Sequence, residues 1–388
     1  MNYSDHHEKV EQFYNVQESL YRKMGGFRLS PNSSKIKKIA YEFYGILAMM
    51  VIGVYNSSLF ISFITLPSIL DKIMKAFYML GTLIGAMVKY ICVKRDYSLY
   101  RDIATDLHQD IFKPLNAAEN DIFVRNLEMS IRVRNLYGYV SCLSLVYAFG
   151  LQQVLNPKEL PAQLYAPFDM EDSTNFLIMK VFSFISVGYL CFINIAFDSW
   201  CTSFMLFIQG QLEILEYRLE RIGFNGDSDL EINLELKSCI RLHAAVHDII
   251  GKLEIVIAFP NSLQIFCSML VLCCNFYAIS FTSVSEDTIA FLKFSIYQMA
   301  MLSQVFFICY FANEVTLASN KLSHALYSSN WITWNKINRR LVLLTMLRFR
   351  DPIRVKSLNR CYHFDLAAFT SIVNTSYSYF ALLKQMNN

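Results

Sequence analysis

The chain has 388 residues, of which 54% are hydrophobic and only 17% charged, with a mean hydropathy of +0.31. Globular domains carry about 25% charged residues, so this profile, with 31 Phe and 23 Tyr, excludes an ordinary soluble domain or a disordered chain and points to a helical membrane protein. A net charge of +3 gives no reason to invoke nucleic acid.

Residues 1–38 are polar and mixed in charge, so no cleavable signal peptide is expected, and the first apolar run is read as an uncleaved signal-anchor. A spanning helix takes about 20 mostly apolar residues. Such windows occur at Ile39–Leu66, Ile73–Val93, Tyr137–Leu155, Phe176–Phe207, Ile249–Phe281, Ile289–Asn313 and Leu366–Leu383. The predicted fold is therefore an all-α membrane protein with seven transmembrane helices. The fourth window runs on through FMLFIQGQLEILEYRLERI, where Leu212, Leu215 and Leu219 form an apolar stripe beside Glu213, Glu216 and Arg218. Such an amphipathic extension needs a partner helix in water, which predicts a helical bundle below the membrane. Leu341–Leu347 is too short to cross and is bracketed by Arg339, Arg340, Arg348 and Arg350, so it is predicted to pack as a cytoplasmic helix. The expected organisation is a cytoplasmic segment over 1–38, six transmembrane helices with cytoplasmic extensions over 39–313, an anchor segment over 314–362 and a last transmembrane helix over 363–388.

Charge sets the direction. Lys35, Lys37 and Lys38 precede the first span; Lys94, Arg95 and Arg101 follow the second; Arg218, Arg221 and Lys237 follow the fourth; Lys321, Lys336 and Arg339 follow the sixth. The loop NPKELPAQLYAPFDMEDST has Lys158 alone against Glu159, Asp169, Glu171 and Asp172, and the loop at Glu286 and Asp287 has no basic residue. Basic loops stay in the cytoplasm, so the N-terminus is cytoplasmic and the C-terminus extracellular. That is opposite to a G-protein-coupled receptor. No Asp-Arg-Tyr follows the third span, and the one Asn-Pro pair, Asn156-Pro157, is in an outer loop.

No chemistry of the enzymatic kind is evident: there is no nucleophile–base pair, phosphate loop or metal cluster, and no cofactor is implied. Eight of ten cysteines fall inside apolar runs without a CxxC pair and are expected to be reduced and packed. His243 and His247 share a helix face, but Ala244 stands where a zinc protease motif needs Glu; a solvated helix is expected. Glu42, Lys89, Lys180 and Asp198 lie near predicted span ends, where long side chains snorkel, so they are read as structural. Trp331 and Trp334 are expected at an interface or in anchor packing.

On the last span, Ser371, Asn374, Thr375, Ser378, Leu382 and Gln385 fall along one stripe of a helix with 3.6 residues per turn. A polar stripe on an apolar spanning helix faces either a neighbouring helix or water, and the spacing leaves both open.

The chain resembles the insect odorant receptors. The resemblance lies in the closing SYSYFALLKQ, in HALYSSNWITW with the basic stretch to Arg350, in the outer-loop LPAQLYAPFD, and in DSWCTSFMLFIQGQLEILEYRL. It implies a ligand-gated, non-selective cation channel of four subunits, each contributing its last helix to a central pore. It also implies pairing of this chain with a shared co-receptor subunit, in the plasma membrane of olfactory neurons and their dendrites, with a small volatile ligand, permeant cations and membrane lipid as partners. The stripe then reads as pore wall. By the family pattern, Leu382 and Met386 form the gate, with Gln385 and Ser378 as polar pore positions, and an apolar ring there gates by dewetting. Lys384 is expected to point away from the pore.

The family's ligand pocket lies in the outer half of the membrane between helices two, three, four and six. By depth and spacing the resemblance implies Met74, Phe77 and Tyr78 on the second helix and Ser144, Tyr147 and Leu151 on the third. Met179 and Ser183 are the positions on the fourth, and Phe294 and Tyr297 on the sixth. The alternatives are a gustatory-type channel, whose usual Thr-Tyr…Gln-Phe ending this chain lacks, and a transporter, for which inverted repeats, broken helices and midplane charges are not evident.

Overall fold

The computed structural model describes the chain except residues 1–2, 30–32, 67–71, 73–75, 156, 158–159, 161, 225–227, 283–287, 359–361 and 388. The described residues form helices and connecting turns, with one isolated bridge between Lys356 and His363. The helices are α1 (Tyr3–Glu11), α2 (Asn15–Lys23), α3 (Lys35–Thr65), α4 (Tyr78–Arg95), α5 (Tyr97–Asp106), α6 (Ala117–Val146), α7 (Ser173–Arg221), α8 (Asp229–Phe281), α9 (Thr288–Ser328), α10 (Lys336–Phe349) and α11 (Leu366–Asn387). Four of them, α3, α7, α8 and α9, are long and apolar enough to cross a membrane. The stretch α10 is indeed a helix of its own, with Val342, Thr345 and Phe349 buried and Leu343, Leu344 and Leu347 exposed.

Helix boundaries follow local chemistry. Asn116 caps α6 by accepting from Glu119 N at 2.9 Å, and Ser228 and Glu231 form a reciprocal capping box at the start of α8. Asp365 accepts from Ala368 N at 2.7 Å where α11 begins. The helix α7 ends at Gly223, whose φ of +80° suits a residue without Cβ. A Cβ there would lie 2.5 Å from Trp334 Nε1, so this glycine also lets the buried Trp334 close over the helix end. Pro260 sits inside α8 without interrupting it, although it removes one backbone hydrogen bond.

The helix α7 is the axis of the bundle. It packs against α2, α3, α4, α6, α8 and α9, and from Ile193 to Ile208 every residue except Asp198 is buried. Near its end Arg218 grips Glu119 with two hydrogen bonds of 3.1 and 2.7 Å, tying the start of α6 to the end of α7 in the bidentate geometry that favours arginine. The opposite end of this helix pair is held by Tyr55 of α3, whose hydroxyl lies 3.1 Å from Ser183 Oγ.

Two findings correct the sequence reading. Lys89 does not snorkel: it is fully buried, with Nζ 2.6 Å from Asp198 Oδ1 and 3.0 Å from Asn194 Oδ1. Asp198 Oδ2 in turn accepts from the Tyr137 hydroxyl at 2.9 Å and from Gln304 Nε2 at 2.5 Å. A charge this deep is tolerated because it is paired and both oxygens of its partner are hydrogen-bonded. His243 is likewise buried rather than solvated, packed 4.7 Å from the Phe349 ring because α10 folds back onto α8. The nine described cysteines are all free.

The polar N-terminal segment is ordered on α6 and α7. Phe13 packs edge-on to Phe123 and Phe207 at 5.8 and 5.5 Å, and burying a Phe is worth ~2 kcal/mol. Gln17 donates to Ser203 Oγ at 3.0 Å. His7 stacks on His108 and shares a 2.7 Å hydrogen bond with it, while the Tyr14 hydroxyl lies 2.7 Å from the other nitrogen of His108.

Two predictions come from these contacts. Burial, reinforced by His7 and Lys113, pushes His6 from 6.5 down to about 4. The undocked segment therefore takes up a proton that the docked one refuses, so docking is at full strength above about pH 6.5 and weakens as pH falls towards 4. Amide exchange across α1 and α2, corrected for intrinsic rate, should be faster at about pH 5 than at about pH 7; equal protection would rule this out. For the core pair, Asp198→Ala leaves Lys89 buried without its counter-charge and should cost about 3–5 kcal/mol. Surface labelling should fall sharply for Lys89→Met and for Asp198→Leu and recover in part for Lys89→Met/Asp198→Leu. No recovery would show that the pair is not the source of the loss.

Candidate functional site: an interhelical cavity and an exposed polar stripe

The helices α4, α6, α7 and α9 leave a cavity of about 110 Å³ between them. These correspond to the second, third, fourth and sixth apolar windows. The cavity arises where α6 departs from regular geometry: after Val146 the chain makes a π-helical turn over Tyr147–Leu151, and Tyr147, Ala148 and Phe149 line the space. Such wide turns re-aim side chains at functional sites. The Tyr147 hydroxyl donates to Ile289 O at 2.7 Å, so its ring is fixed as a wall between α6 and the start of α9.

The walls are mostly apolar. Met79 and Leu83 come from α4, Val187 from α7, and Ile296 and Met301 from α9. On one side Thr82 Oγ1 and the Tyr297 hydroxyl are 2.6 Å apart. The floor is polar and consists of Tyr137, Asn194 and Gln304, the residues that surround the Lys89–Asp198 pair. The Gln304 amide also accepts from Gln264 of α8 at 2.9 Å. An apolar pocket with a few fixed polar groups is the usual form of a small-molecule site.

Of the residues expected around a ligand, Ser144, Tyr147 and Tyr297 line this cavity. The others do not. Phe77 packs on Phe63 at 5.5 Å, beside Cys274 and Tyr277. Ser183 is bonded to Tyr55, and Met179 and Phe294 are in the core away from the lining. Met74 lies outside the described residues, as do the side chains of Tyr78, Leu151 and Met386. Asn194, Gln304, Thr82 and Tyr137 were missed. The signal for Asn194 was present in FINIAFDSW, where Asn194 and Asp198 stand one helical turn apart in an apolar run.

The last helix, α11, rests on α8 and α9. Its inner face buries Ile372 and Ser376, with Ser376 Oγ donating to Met269 O at 3.0 Å, and Phe369 meets Phe306 of α9 at 5.4 Å. The opposite face is open. Ser371, Asn374, Ser378, Leu382 and Gln385 are all exposed and Thr375 is half-buried, with Leu382 53% exposed. A shallow groove runs along Ala367, Ser371, Asn374, Thr375 and Ser378. In this protomer the stripe therefore packs against no neighbouring helix.

The chain was compared with known proteins. The sequence profile of the family described as 7tm Odorant receptor matches residues 69–377. Odorant receptor 46a of Drosophila melanogaster is similar throughout: isoform A is 36% identical over 323 residues, covering 83% of this chain and 84% of its own. Isoform B is 32% identical over 388 residues, covering 98% and 100%. The insect olfactory receptor OR5 from Machilis hrabei has the same fold, with a TM-score of 0.85 at 17% identity over 96% of this chain and 97% of that one. Its complex with eugenol gives a TM-score of 0.86 at 18% identity over the whole of both chains. A profile that spans most of the chain and a relative sharing a third of its residues end to end decide the matter: the chain belongs to the 7tm odorant receptor family, whose members are receptors rather than enzymes.

Proposed function

We propose that this chain is the odorant-binding subunit of an odorant-gated, non-selective cation channel in the plasma membrane of olfactory neurons. It crosses the bilayer seven times with its N-terminus inside and its C-terminus outside, and it works as a heteromer, four subunits in all, with a shared co-receptor. The observation that carries the reading is the polar face of α11, exposed in the protomer on an otherwise apolar helix. Four such faces turned to a common axis make a water-filled path, closed where Leu382 and Met386 replace polar residues.

The ligand in this reading is a small volatile in the cavity between α4, α6, α7 and α9; the OR5 fold relative is known in complex with one such molecule, eugenol. The family assignment favours a volatile over a soluble tastant. The helix α8 supplies the means of coupling, because it touches both sites. Gln264 bonds the cavity floor through Gln304, and Met269 accepts from Ser376 on the pore helix. A ligand that shifts the floor therefore acts on the helix that braces α11. The energy available for gating is the ligand's difference in affinity between closed and open states.

Cells expressing the chain with a co-receptor should pass an odorant-evoked current that reverses near zero, whereas a current-free uptake of the odorant would indicate a transporter. Tyr147→Ala should shift odorant potency by ~10-fold, about 1.4 kcal/mol, without loss of surface protein, and an unmoved dose–response curve would remove Tyr147 from the site. Leu382→Cys should react with external thiol reagents during odorant application and not at rest; equal rates in both conditions would place the gate elsewhere.

A further inference from the structure

The floor of the cavity carries a hydrogen-bond donor whose direction is fixed by the core. Lys89 Nζ has only protons to give, so the Asn194 atom facing it at 3.0 Å is the amide oxygen. The orientation of this side chain is set by chemistry rather than by choice between two equivalent flips. The oxygen is engaged by Lys89 and, more distantly, by Gln304 Nε2 at 3.5 Å. The other end of the amide, Nδ2, donates to none of the described residues, and Asn194 lines the cavity.

The remaining polar groups on the floor are committed. Asp198 Oδ1 accepts from Lys89 and Oδ2 from both Tyr137 and Gln304. Gln304 spends its amide protons on Asp198 and Asn194 and accepts from Gln264. The Tyr137 proton is held by Asp198. A ligand reaching the floor therefore meets no free carboxylate and one open N–H. The buried ammonium bound to the same amide polarises it further and makes Nδ2 a stronger donor.

We infer that Asn194 is the specificity-determining residue of the cavity and that the ligand is a neutral volatile with a hydrogen-bond-accepting oxygen: a ketone, aldehyde, ester or aryl ether. The inference rests on the cavity being the odorant site. A hydrocarbon of the same shape leaves Nδ2 unpaired in an apolar space, which costs what a buried donor without a partner costs. An amine, cationic at neutral pH, brings further donors to a floor whose carboxylate oxygens are already engaged and which holds an ammonium.

The test needs no mutation at its first stage. The channel, co-expressed with its co-receptor, is exposed to matched pairs: acetophenone against ethylbenzene, methyl benzoate against propylbenzene, and acetophenone against α-methylbenzylamine. The oxygen-bearing partner should be more potent by about 10-fold or more in each pair. Equal potency within the pairs would overturn the inference whatever any variant does. The second stage is Asn194→Asp, which keeps an oxygen for Lys89 and puts an acceptor where the donor was. With surface protein measured alongside, the gap within each pair should close. A gap that persists in Asn194→Asp would assign the selectivity to another group and overturn the role given to Asn194. Failure of the underlying reading looks different, because Ala148→Phe, which fills the cavity, would then leave every response unmoved.

Discussion

The structure depends on one buried ion pair. Lys89 and Asp198 meet at 2.6 Å in the middle of the bundle, where α4 meets α7, the helix that packs against α2, α3, α4, α6, α8 and α9. An isolated ammonium there would be prohibitive, and even a pair is rarely better than an apolar substitute of equal volume. What the pair gains is direction. It draws residues from four helices, Lys89 of α4, Tyr137 of α6, Asn194 and Asp198 of α7 and Gln304 of α9, into a single set of hydrogen bonds. The relative rotation of four helices is thereby specified, as apolar packing alone would not require.

The same network serves the cavity. Its floor is the outer surface of the pair's hydrogen-bond shell, so the groups that fix the helices are those a ligand would meet. One further bond, Gln304 to Gln264, carries the network to α8 and so to the helix that supports α11. In the channel reading, stability, recognition and transmission share side chains, and a ligand that perturbs the floor acts on the interior of the bundle rather than on a peripheral loop. The π turn at Tyr147–Leu151 complements this by placing Tyr147, Ala148 and Phe149 in the wall of the same cavity.

The faces that remain open are as informative as the core. The helix α3 exposes Ile39, Phe43, Ile46, Val54 and Ile64, the side a lipid-facing helix presents. Leu343, Leu344 and Leu347 of α10 are exposed too, at the end where α7, α8 and α9 extend beyond bilayer length. The helix α11 differs from both, because its open face is polar. Lipid accounts for the first of these faces. Water, reached through assembly with other subunits, accounts for the last in the channel reading.

Periodicity and composition were enough to locate the apolar helices, though not α1, α2 or α5. The described residues of each apolar window are helical apart from Leu66, the amphipathic run after Phe207 continued α7 to Arg221, and the polar stripe of α11 was legible because 3.6-residue spacing is a local property of the chain. The family, too, was readable from the order of a few motifs. What the sequence could not provide was which side chains meet. Lys89 and Asp198 are 109 residues apart, and nothing local distinguishes a lysine that reaches the interface from one that turns inward to a partner. Rotation of a helix about its axis decides the matter, and rotation is set by packing against all its neighbours at once. For the same reason Ser144, Tyr147 and Tyr297 were found while Asn194 and Gln304 were missed: the depth of a residue in a span is written in the sequence, but the direction it faces is decided only when the bundle closes.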